Sequence, residues 1–166
     1  MTEKEIVIDM RKLIDDIKEK VNNGQSVIIK GQGTSMFPFI TSDDTLTLDK
    51  PPCKIKTGEI YLYMRFDGSY AIHRVYNVKK DFVLMLGDAQ LFIEKVNKDR
   101  IVAVVSAVNK PYERIDCNSS WVRYKHTLCM KAKIYKSKCK ATVKKLYFEV
   151  RAALGKIKKM IKKKDK

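Results

Sequence analysis

No apolar run in this 166-residue chain approaches the ~18 residues that a membrane-crossing helix requires. The N-terminus, "MTEKEIVIDMRK", mixes acids with bases where a secretory leader would set a basic stretch before an apolar core. The expectation is a cytoplasmic protein with neither leader nor membrane anchor. Cysteine is sparse and badly spaced for metal: Cys53, Cys117, Cys129 and Cys139 form no CxxC pair and have no histidine at zinc-ligand spacing. Reduced thiols follow, with no metal, cofactor or disulfide framework expected. Histidine is scarcer still, with only His73 and His126. Acids nearly vanish from the last 36 residues, where fifteen Lys and Arg face only Glu149 and Asp165. That segment carries +13 of the chain's +16, leaving +3 for residues 1–130.

What is present describes a folded chain: 45% hydrophobic and 33% charged residues, in a length that suits one domain with appendages. In "TEKEIVIDMRKLIDDIKEKVNNG", Ile6, Met10, Leu13, Ile14, Ile17 and Val21 recur at helical spacing. Thr2 with Glu5 fits a capping box, and Gly24 fits a C-terminal stop. An N-terminal amphipathic helix is therefore expected over 1–24. Short runs rich in Val, Ile, Tyr and Phe follow: "SVIIK", "TLTLD", "EIYLYMRF", "SYAIHRVYNV", "DFVLML" and "RIVAVVSAV". The separators include Pro51-Pro52, Asp67-Gly68 and Gly87-Asp88, and "RFDGSY" reads as a hairpin turn. The fold class is mainly β, a compact antiparallel unit over 25–110. Beyond Pro111 the pattern returns to helix, capped at Asn118 or Ser119, and a basic helical extension is expected over 111–166.

The segment "GQGTSMFPFI" sets Ser35 in a stretch whose ordinary reading is a turn. A serine hydroxyl becomes a nucleophile only when a neighbouring base takes its proton. Of the two histidines, His126 lies in the basic helical region and reads as an exposed surface residue. His73 lies thirty-eight residues after Ser35, within the same β-unit, where a strand histidine is ordinarily half-buried on a backbone partner.

The order of motifs changes that reading. "GTSMFPFI", "TGEIYLYM", "AIHRV", "LMLGDAQ" and "RIVAVVSAV" resemble, segment by segment over about 26–108, the serine-peptidase superfamily of LexA-type repressors and type I signal peptidases. The position matching the family's general base is His73. LexA-like proteins and most bacterial signal peptidases carry a lysine there, so the chain resembles the histidine branch of SipW-like and endoplasmic-reticulum signal peptidases, without their membrane anchor. The resemblance implies a signal-peptidase or LexA-like fold and a serine endopeptidase in which Ser35 is the nucleophile and His73 the general base. Asp88 of "LGDAQ" is then the candidate orienting carboxylate, with Asp43 and Asp44 as weaker alternatives. Backbone amides of Ser35 and of its neighbours Gly33, Thr34 and Met36 are candidate oxyanion donors. Where many signal peptidases carry a serine two residues before the nucleophile, this chain has Gly33. Family members commonly follow the Gly-Asp with asparagines and a further acid, whereas "GDAQLFIEK" offers only Glu94 nearby.

The substrate implied is a peptide or precursor protein, cleaved beside small side chains. The alternatives are a non-catalytic peptide-binding or regulatory module on the same fold and, behind it, a LexA-like self-cleaving regulator. The tail sets Val143, Leu146, Tyr147, Val150, Leu154, Ile157 and Ile161 on one stripe with lysines around them. This pattern fits a helix packed on the domain or a partner, or one lying peripherally on an anionic membrane. Nucleic acid ranks last, because no DNA-reading module or aromatic RNA platform is recognisable.

Overall fold

The computed structural model describes residues 10–164. The chain divides into two compact units, Met1–Met130 and Lys131–Lys166. In the first, helix α1 (Met10–Asn22) precedes strands β1 (Val27–Lys30), β2 (Thr45–Asp49), β3 (Ile60–Met64), β4 (Tyr70–Val78), β5 (Phe82–Leu86), β6 (Ile93–Asn97), β7 (Ile101–Asn109) and β8 (Arg114–Asp116). Helix α2 (Ser120–Lys164) begins in the first unit and supplies the second. The eight strands form one sheet in the order β1-β2-β7-β3-β4-β5-β6, with β8 added against β7. Every strand pair is antiparallel. The fold class is thus mainly β with a helix at each end.

Helix α1 ends where the sequence says it should. Gly24 has φ +79°, its N–H donates to Val21 O, and the N–H of Gln25 donates to Lys20 O. These paired bonds make a Schellman stop that glycine accommodates without a Cβ penalty. Thr2, Glu5 and Ile6, the proposed start of this helix, lie outside the described residues. Ile14, Ile17 and Val21 are buried against Leu46, Leu62 and Val105, so the helical stripe becomes one side of the main core.

Strand β3 explains why the sheet has two cores. Ile60 and Leu62 join the cluster under α1, while the alternating Tyr61 and Tyr63 join Val75, Met85, Val96 and Val104 in a second cluster. A strand buried on both faces reads as the unbroken apolar run "IYLYM". The chain remains in the sheet beyond Pro111, because Arg114–Asp116 pairs with Ala107–Asn109 before α2 starts. At the start of α2, Gly58 (φ +90°) lets the β2–β3 connection approach closely. A Cβ there would stand 2.9 Å from Arg123 O and 2.6 Å from Thr127 Oγ1.

Among the described residues no helix is long and apolar enough to cross a membrane. None of the described buried side-chain nitrogen or oxygen atoms lacks a hydrogen-bond partner.

Because Ile17 anchors α1 in the core, Ile17→Ala should cost about 2–5 kcal/mol in urea unfolding. Ile28→Ala, on an exposed side chain, should stay within about 0.5 kcal/mol of the native protein.

Candidate active site

Ser35 opens the turn between β1 and β2, and two backbone contacts fix it there. Its carbonyl accepts a 2.8 Å hydrogen bond from Ala89 N–H, in the turn that follows β5. A Cβ on Gly87 would stand 2.6 Å from the same carbonyl oxygen. Glycine at 87 therefore permits the Gly-Asp turn to close on the serine loop, a packing role invisible in the motif itself. Gly33 has φ +78°, and Thr34 O accepts the N–H of Phe37. Met36 is buried in the core with Phe39 and Ile40, and its carbonyl accepts the N–H of Ile40. The Phe37-Pro38 peptide is cis.

Ser35 and His73 line the same cavity, of about 480 Å³, together with Gly33, Thr34, Met36 and Gln90. Its apolar wall includes Ile14 and Ile17 of α1 and Leu62 of β3. The structure thus brings together the serine, the strand histidine and the three neighbours singled out for the oxyanion.

His73, in β4, is 1% exposed. Its Nδ1 lies 2.9 Å from Tyr63 Oη and 3.5 Å from Glu94 Oε1. Tyr63 in turn donates to Glu94 Oε2 at 2.9 Å. A phenol has one proton, so with its O–H donated to Glu94 its oxygen is left to accept from His73 Nδ1–H. This chain of donors selects the tautomer whose lone pair is on Nε2, the form a general base needs. Burial and the neighbouring Glu94 hold the Tyr63 hydroxyl protonated, far above its ordinary range. Burial pushes His73 below its usual value of 6.5, Glu94 pulls it partly back, and Arg65 opposes that pull.

Glu94 is itself gripped. Arg65 donates to both of its oxygens, from Nε at 2.8 Å and from Nη2 at 2.7 Å. Burial raises Glu94, but the hydrogen bonds from Arg65 and Tyr63 outweigh it, and the net displacement is downward. The group facing His73 is therefore a carboxylate.

Asp88, the sequence candidate for orienting the imidazole, is committed to Arg74. The guanidinium donates from Nε to Oδ1 at 3.0 Å and from Nη2 to Oδ2 at 2.8 Å, and also from Nη1 to Gly58 O at 3.0 Å. Arg74 is fully buried and lies over the Phe39 ring, 4.6 Å from its centroid. As strand neighbours, His73 and Arg74 direct their side chains to opposite faces, which gives each its own carboxylate. Asp88 adds only a lesser pull on His73. Asp44 is also structural: it accepts from Thr41 N–H at 2.7 Å and pairs with Lys110 at 3.0 Å, while Asp43 is exposed.

Sequence reasoning passed over Tyr63 and Arg65 and named Glu94 only as a leftover acid. The available signal was the alternation in "EIYLYMRF", which puts Tyr63 and Arg65 on one face of the hairpin arm. His126, expected on the surface, is half-buried instead, its ring 4.3 Å from that of Phe39 and tilted by 60°. Burial and the nearby Arg74 outweigh Asp88 and depress its pKa. Among the described residues, no three His, Cys, Asp or Glu side chains group to hold a metal ion.

Asp88→Asn would leave the buried Arg74 charge without its counter-charge. Urea unfolding should register a loss of about 3–5 kcal/mol. A change below about 1 kcal/mol would contradict this role for the pair.

No curated protein and no solved structure matches the chain. One family model does, described as Peptidase S24-like, and it spans residues 2–108, a range that includes Ser35, His73 and Glu94 and ends within β7. With that match over more than half its length, the chain belongs to the Peptidase S24-like family.

Proposed function

We propose that the protein is a serine endopeptidase working through Ser35 and His73, with Glu94 and Tyr63 orienting the histidine. The observation that carries this reading is the hydrogen-bonded series from His73 Nδ1 through Tyr63 to Glu94, on a histidine that lines one cavity with Ser35. Nε2 of His73 takes the Ser35 proton as the serine oxygen attacks the scissile carbonyl. The resulting imidazolium is stabilised by Glu94 through Tyr63 and across the 3.5 Å gap, and then protonates the leaving amine. The acyl-enzyme formed on Ser35 is released by water through the same steps in reverse order. Backbone N–H groups around Gly33, Thr34, Ser35 and Met36 are the candidate donors to the oxyanion.

In this account Asp88 is not the orienting carboxylate. It holds Arg74 and, through the adjacent Gly87 and Ala89, helps seat the serine loop. The substrate is an extended segment of a peptide or precursor protein, added as a strand beside the sheet. A histidine at the base position keeps the chain's likeness to SipW-like and endoplasmic-reticulum signal peptidases as a proposal about its branch of the family.

A peptide library incubated with the protein and read by mass spectrometry tests the function. Cleavage should occur and should vanish in Ser35→Ala. Glu94→Gln should lower kcat by about 10²–10⁴-fold with KM little changed. The base must be neutral, so kcat/KM should fall as the pH drops through the His73 value, which lies below 6.5. Since Glu94 raises that value, Glu94→Gln should move the acid limb to lower pH. Cleavage that persists in Ser35→Ala would refute the mechanism.

A further inference from the structure

The second unit, Lys131–Lys166, carries a surface that the proposed chemistry does not use. It is helical through Lys164, and at 3.6 residues per turn Tyr135, Cys139, Val143 and Tyr147 follow one another on one side, with Leu146 beside them. These side chains are exposed: Tyr135 by 71%, Val143 by 67% and Leu146 by 59%. Exposed lysines border the stripe, Lys136, Lys140 and Lys144 in a row along one flank and Lys138 on the other. Val143, Cys139 and Tyr147 with Lys136, Lys140 and Lys144 line a shallow apolar depression. Beyond these residues the sequence keeps the same spacing through Val150, Leu154, Ile157 and Ile161.

We propose that this face binds an anionic phospholipid surface, lying in the interface with the apolar stripe inserted and the lysines on the headgroups. Two features select that occupant. The segment's charge of +13 with only two acids demands a polyanion, which disfavours a second copy of this equally basic helix. The exposed apolar residues form a continuous row beside the lysines, so a phosphate backbone laid on this face would meet tyrosine, valine and leucine as well as lysine. A bilayer surface satisfies both, since acyl chains receive the stripe and long lysine side chains extend to the phosphates. The inference stands apart from the peptidase reading.

The test is co-sedimentation of the full chain with phosphatidylcholine vesicles and with phosphatidylcholine vesicles containing phosphatidylglycerol. Binding to the anionic vesicles should exceed binding to the neutral ones by at least about tenfold and weaken as salt is added. Each of Lys136→Gln, Lys140→Gln and Lys144→Gln should weaken it about fivefold at low salt. Val143→Glu with Leu146→Glu should weaken it by about tenfold or more, with helicity by circular dichroism unchanged. Equal binding to both vesicle types, or none, would overturn the proposal. So would anionic-vesicle binding that ignores the Val143 and Leu146 changes, because the stripe would then not be inserted. Tighter binding to duplex DNA than to anionic vesicles at the same salt would assign the face to nucleic acid. Self-association abolished by Leu146→Glu, without vesicle binding, would assign it to a second copy.

Discussion

Closure of the sheet by Glu94 on Tyr63 and Arg65 is the interaction on which the candidate site rests. In the strand order β3-β4-β5-β6, a flat sheet would hold β6 roughly 14 Å from β3, three strand spacings away. Yet Glu94 of β6 is 2.7–2.9 Å from Arg65 and Tyr63 at the end of β3. The β3–β6 segment must therefore curl back on itself. Register shifts within the β4–β5 and β3–β7 ladders provide places for the added bend. The tyrosine, valine and methionine side chains enclosed by the curl form the second core, and His73 is desolvated at its edge.

A buried imidazole beside a half-buried carboxylate is costly unless each polar atom is matched, and here the matches are arranged in series. Arg65 fixes the charge of Glu94, Glu94 accepts a hydrogen bond from the Tyr63 hydroxyl, and Tyr63 accepts from His73. Arg74 and Asp88 form a second matched unit one residue along β4, tied to the β2–β3 connection through Gly58 O. From that unit the chain turns through Gly87 and Ala89 to the carbonyl of Ser35. The serine loop and the histidine strand are thus held by neighbouring networks on opposite faces of one strand.

Much of the fold was legible in the sequence because burial and propensity agreed. Six of the strands coincide with runs of β-branched and aromatic residues, and Gly24 closes α1 with the positive φ its position suggested. The unrecognised strands are those in which little is buried. In "IEKVN" of β6 only Val96 is buried, and β8 has three residues. Missing β6 concealed the role of Glu94, since only pairing of Met85 with Glu94 carries that carboxylate around to Tyr63. Asp88 was prominent because it follows a glycine in a familiar motif. Its actual partner, Arg74, was set by the alternation of β4, which a linear reading of "HRV" did not exploit. His126 was read as a surface residue because its helix is basic, whereas Phe39 covers it.

The central claim is that His73 activates Ser35. It is tested most directly by labelling the native protein with a serine-reactive fluorophosphonate and locating the adduct by mass spectrometry, alongside His73→Ala and Glu94→Gln. The account predicts an adduct on Ser35, absent in His73→Ala and formed more slowly in Glu94→Gln. Labelling of Ser35 at an undiminished rate in His73→Ala would contradict it.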